Sequence, residues 1–90
     1  MKVILTEDAL RDLTFIRFRV SLDNSRAAVR PSRRLAEACE SLAEFPERGR
    51  LGLEPGTREN VLVWPYVIVY RIVPGQVEIL RVWHGAQDRA

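Results

Sequence analysis

Tyr66-Val67-Ile68-Val69-Tyr70-Arg71-Ile72-Val73, then Pro74-Gly75, then Gln76-Val77-Glu78-Ile79-Leu80-Arg81-Val82-Trp83 is the stretch that decides the fold. Both halves are dense in β-branched and aromatic residues, which suit a pleated, half-buried strand. Pro-Gly between them is turn chemistry, so the two halves predict an antiparallel pair. Upstream, Val61-Leu62-Val63 reads as one more strand, and Trp64-Pro65 interrupts it because proline cannot donate to a ladder. The carboxy-terminal third is therefore read as a three-stranded meander.

Outward from there the texture changes. Residues 46–56 hold two prolines and three glycines (Gly49, Gly52, Gly56) and predict a charged loop. Before it, Ala28, Leu35, Ala38, Cys39, Leu42 and Phe45 recur at helical spacing, and Phe45-Pro46 ends the helix. Pro31 lies inside this pattern and predicts either a kink or a helix that starts near it. Asp23-Asn24-Ser25 is a polar break. Thr6 is a candidate N-cap with Glu7 and Asp8 in the first turn, and Leu10, Leu13, Ile16 and Val20 form a stripe that Phe15, Phe18 and Leu22 widen. Lys2 to Leu5 reads as a short strand. The expected class is α+β, in the order β-α-α-β-β-β, with a helical hairpin packed on a small, mainly antiparallel sheet.

The chain has 90 residues, which sets one domain with a modest core. It contains no apolar run of about 18 residues, so no membrane span is expected. Lys2 is followed too soon by Glu7 for a signal peptide. One cysteine, Cys39, permits no internal disulfide and suits a cytoplasmic setting. One histidine and one cysteine make no zinc site, and no phosphate loop or nucleophile triad is present, so no cofactor is expected. Thirteen of the fourteen basic residues are Arg, which favours a polyanionic or acidic partner or else reflects a GC-rich genome.

A set of short motifs is more specific than the element order. It runs Asn24-Ser25-Arg26-Ala27-Ala28, Pro46-x-x-Gly49, Thr57-Arg58-Glu59, Tyr66-x-x-x-Tyr70-Arg71 and Ile79-Leu80-x-Val82-x-His84-Gly85. In this order and spacing the chain resembles the RelE/ParE toxins of type II toxin–antitoxin systems over nearly its full length. The resemblance implies a growth-inhibiting, plasmid-stabilising toxin held inactive by a cognate antitoxin, with operator DNA contacted only through that antitoxin. It implies one of two targets, the ribosome and its mRNA, or DNA gyrase. A non-toxic relative that keeps only antitoxin binding is a third possibility.

Ribosome-dependent mRNA cutting needs a proton acceptor, an acid and phosphate-binding cations. If the chain is an endoribonuclease, Arg58, Arg81 and His84 are the catalytic candidates. His84 has the right intrinsic pKa, but it equally reads as a strand-end residue that orders the turn at Gly85. Arg81 equally reads as the partner of Glu78 or Glu59. On an ideal strand the odd spacing of Arg81 and His84 sends them to opposite faces unless the strand ends or bulges near Trp83. No tyrosine follows Tyr70, where the nuclease branch often places one. The ending His84-Gly85-Ala86-Gln87-Asp88 is more like the ParE branch, so gyrase is the favoured target. Arg71, Arg33, Arg34 and Trp83 are candidates for target or antitoxin binding. Their bland readings are a paired strand arginine, a solvated helix face shared with Arg26 and Arg30, and core filling, the last also for Trp64 and Tyr66.

Overall fold

The computed structural model describes residues 1–23 and 25–85. The order is β1 (Lys2–Leu5), α1 (Glu7–Asp23), α2 (Ser25–Ser41), β2 (Arg50–Leu51), β3 (Arg58–Asn60), β4 (Tyr66–Val73) and β5 (Gln76–His84). The strands form one sheet in the order β1-β5-β4-β3-β2. Every pairing is antiparallel except β1 with β5, which is parallel. The two helices pack on this mixed sheet, as the α+β reading expects.

The hairpin of β4 and β5 carries the sheet. Gly75 sits in its turn at φ 78°, a left-handed conformation that favours glycine. Val69 pairs with Arg81 and Tyr70 with Ile79, so Leu80 is an extra residue in β5. This bulge resets the alternation. Val77, Ile79 and Val82 all reach the core although 79 and 82 differ by an odd step. Ile68 and Tyr70 join them from β4, and Leu35, Ala38, Cys39 and Leu42 cover them from α2 and its end. Ala9 and Ile16 close the core from α1.

β1 covers only part of the edge of β5, from Gln76 to Ile79. Side chains of α1 and its cap take over beyond it. The Thr6 hydroxyl lies 3.0 Å from the carbonyls of both Ile79 and Leu80, and it accepts the amide of Ala9 at 3.1 Å as the helix N-cap. The Asp12 carboxylate accepts the Val82 amide at 2.9 Å. Buried backbone groups left without partners would cost free energy, and here helix side chains act as a substitute strand.

Four sequence expectations are corrected. The third strand of the meander is Arg58–Asn60, and residues 61–65 turn instead. Asn60 Oδ1 accepts the Leu62 amide, Tyr66 N–H donates to Val63, and the Trp64-Pro65 bond is cis, so the apolar run bends away from the ladder. The loop holds the short β2, paired with β3. α2 runs as one helix from Ser25 to Ser41 with Pro31 inside it, so it does not start near Pro31. Leu10, Phe15, Phe18 and Leu22 are 53–67% exposed, and Phe45 is exposed as well, so they do not widen the core stripes. At about 100° per residue Phe15, Phe18 and Leu22 lie on the arc of α1 opposite Ala9, Leu13 and Ile16, with Leu10 on the flank between, and one sheet can cover only one arc. Ala28 and Val20 have side chains outside those described.

Candidate functional site

The loop motifs converge on one structural knot. Tyr70 is fully buried on the helix-facing side of β4. Its hydroxyl donates to the carbonyl of Pro46 at 2.7 Å and accepts the amide of Gly49 at 2.9 Å. Burial pushes the phenol above its ordinary pKa, against the smaller lowering effects of the Gly49 hydrogen bond and the Arg58 charge. A Cβ at Gly49 would sit 2.5 Å from that hydroxyl and 2.8 Å from the carbonyl of Glu59, so no side chain fits there. Arg58, directly opposite Tyr70 in the ladder, donates to the carbonyls of Gly49 at 2.9 Å and Glu47 at 3.4 Å. The Pro46-x-x-Gly49, Thr57-Arg58-Glu59 and Tyr66-x-x-x-Tyr70-Arg71 motifs thus tie one loop to the sheet.

The face of the sheet away from the helices has a different character. Glu59, Val69 and Arg81 stand in one row across β3, β4 and β5. Trp83 lies two residues beyond Arg81, whose guanidinium stacks 4.4 Å from the ring centroid. With Leu53 and Leu80 these residues line a concavity of about 240 Å³. Arg81 also grips Asp12 with two hydrogen bonds of 2.8 and 3.1 Å, and that carboxylate strengthens its hold on the proton. Glu59, almost wholly buried, binds Arg50 at 3.0 Å. Arg71 binds Glu78 at 2.5 Å near the turn of the hairpin.

The three nuclease candidates are not brought together. Arg81 faces the concavity. His84, opposite Tyr66 on the helix-facing side, meets that ring edge-on at 5.5 Å. The bulge lies at Leu80, before both residues, so the odd spacing keeps them on opposite faces. Arg58 shares the face of His84, but their partners on β4 are four residues apart, about 13 Å along the strand. Arg33 and Arg34 are exposed on α2, while the side chains of Arg26 and Arg30 are outside those described. Residues 86–88, which complete the His84-Gly85 ending, lie outside the described residues. Trp83 lines the concavity rather than the main core.

Asp12 is the residue that sequence reasoning missed, since Glu78 or Glu59 was the expected partner of Arg81. Its signal was a lone acid between Arg11 and Leu13, one turn past the acidic first turn, where solvation alone gives no reason for it. Residues 61–63 are not a strand, and the edge strands of the sheet are β1 and β2. Among the described residues no group of three or more His, Cys, Asp and Glu is placed to hold a metal ion. No helix among them is long and apolar enough to cross a membrane.

Comparison with known proteins places this geometry. Residues 3–89 match the family model described as "ParE toxin of type II toxin-antitoxin system, parDE". Toxin RelE2 of Caulobacter vibrioides is 46% identical over 86 residues, 96% of this chain and 97% of that protein. Toxin RelE1 of the same organism is 36% identical over 90 residues, covering 97% and 96%. A solved structure titled "Chromosomal ParDE TA system from P. aeruginosa" superposes with a TM-score of 0.82 at 25% identity, over 93% of this chain and 95% of that one. The match spans the sheet, the helical hairpin and the loop knot alike, and the chain belongs to the RelE/ParE family of type II toxin–antitoxin toxins.

Proposed function

We propose that the chain is a toxin that acts by binding rather than by cutting RNA, with DNA gyrase as its target, and that a cognate antitoxin neutralises it. Such a toxin would act in the cytoplasm and meet operator DNA only through the antitoxin. One observation carries the reading: the three sheet arginines suited to an RNA phosphate, Arg58, Arg71 and Arg81, are each engaged within the fold. Arg58 holds loop carbonyls, Arg71 holds Glu78 and Arg81 holds Asp12. The last tyrosine, Tyr70, spends its hydroxyl on Pro46 and Gly49. General acid–base catalysis needs its groups within hydrogen-bond reach of one proton, and His84 and Arg81 lie on opposite faces.

Trp83, Arg71, Arg33 and Arg34 are left as contacts for the target or the antitoxin. The reading is tested by induced expression in growing cells without antitoxin. It expects growth arrest with a DNA-damage response and intact transcripts. Cleaved transcripts on translating ribosomes, lost on Arg58→Ala, Arg81→Ala or His84→Ala while the fold survives, would support the endoribonuclease reading instead. Harmless expression would mark a relative that keeps only antitoxin binding.

A further inference from the structure

We infer that the exposed arginine half of α2 binds the phosphate backbone of duplex DNA without reading its sequence. The inference rests on the gyrase reading for the choice of DNA as the polyanion, and it adds a ligand and a face which that reading does not name. Charge in the chain is segregated. Residues 17–34 hold six arginines, Arg17, Arg19, Arg26, Arg30, Arg33 and Arg34, and one acid, Asp23, a net charge of +5. The chain as a whole carries +2, so all the other residues together carry −3. The six lie within ten residues of the join between α1 and α2, about 15 Å of helix axis. The acids of α2, Glu37 and Glu40, come only after its arginines, toward the other end.

Pairing sets this end apart from the rest of the molecule. Arg11 pairs with Glu7 and Asp8, Arg50 with Glu59, Arg71 with Glu78 and Arg81 with Asp12. Arg17, Arg19, Arg33 and Arg34 are exposed, and none of them forms an ion pair among the described residues. The side chains of Asp23, Arg26 and Arg30 lie outside those described. What α2 lacks decides the class of ligand. Leu35, Ala38 and Cys39 turn its apolar side into the core, and among the described residues it exposes no large apolar side chain. A protein partner is held by buried aromatic or aliphatic anchors, whereas a DNA interface is polar and strongly basic. Arginine adds geometry, since its planar guanidinium takes phosphate oxygens two at a time. Backbone contact carries no sequence information, so operator recognition stays with the antitoxin.

The test titrates a fluorescein-labelled duplex of arbitrary sequence with the purified chain, read by anisotropy between about 50 and 200 mM salt. Log K against log salt should have a slope of about −4 to −5, the value for four to six neutralised phosphates. Arg33→Ala with Arg34→Ala should flatten that slope by about 2 and weaken binding by about 10-fold at the lowest salt. Lys2→Ala with Arg48→Ala removes the same charge outside the stretch and should change binding far less. All four residues are exposed, so the melting temperature should hold in both variants. Binding that is absent at the lowest salt, or that the α2 double variant leaves intact, overturns the inference. So does tighter binding to single-stranded RNA or to poly-glutamate than to the duplex, since either puts a different ligand on this face. A gyrase supercoiling assay on the same preparation separates the two readings. Inhibition without DNA binding overturns the inference alone, and DNA binding without inhibition overturns the gyrase target alone.

Discussion

Tyr70 is the residue on which the loop depends. Its hydroxyl satisfies one donor and one acceptor of the backbone at once, in a place water does not reach. Tyr70→Phe should destabilise the fold by about 1–3 kcal/mol, because the Gly49 amide and Pro46 carbonyl lose their partner without gaining another. Urea unfolding measures this, and an unchanged midpoint would contradict the knot. Alkaline pH tests burial at the same scale. Cys39 is pushed up to about 11 by burial and by the nearby Glu40, and Tyr70 is raised in the same direction. Both groups keep their protons longer in the folded state than in the unfolded one. The stability they confer is therefore whole below the unfolded pKa values and is lost as pH rises through the folded ones. Stability should be level from these groups near neutrality and begin to fall above about pH 9, the ordinary value of the thiol. Cys39→Ala should remove the early part of that fall.

Among the elements, the join between α1 and β5 decides how the helices sit. Asp12 accepts one backbone amide and two guanidinium hydrogens, and it replaces the strand that β1 is too short to supply. Asp12→Ala should cost about 2–4 kcal/mol, since it strands the Val82 amide and frees Arg81 together. Asp12→Asn should cost less, because an amide oxygen still accepts from Val82. Thermal melts of the two variants check the order. This contact also shows where sequence reading stops. The strong strands at 66–73 and 76–84 and both helices were legible, because their periodicity is local. β3 was not, because Arg58, Glu59 and Asn60 are poor strand formers held by partners far along the chain. The bulge at Leu80 left only an odd spacing between Ile79 and Val82. The exposed arc of α1 was invisible as such, because a second apolar arc on a helix looks in sequence like a wider core stripe.

For the molecule as a whole, the motifs that identify the family turn out to build the fold. Pro46, Gly49, Arg58 and Tyr70 close a loop on the helix-facing side of the sheet, and none of them projects into the concavity of Arg81 and Trp83. That is why the family was legible in sequence while the target was not: recognisable residues are spent on structure, and binding surfaces are assembled from residues with no fixed spacing. On the proposed function, action lies in contact surfaces, with Arg71 and Arg81 ion-paired and Arg58 tied to loop carbonyls rather than arrayed as a catalytic set. A supercoiling assay with purified gyrase, relaxed plasmid and the purified chain tests this. Supercoiling should be inhibited or cleaved DNA trapped, and stoichiometric antitoxin should restore activity. Unaffected gyrase, alongside cutting of mRNA on translating ribosomes by the same preparation, would contradict it.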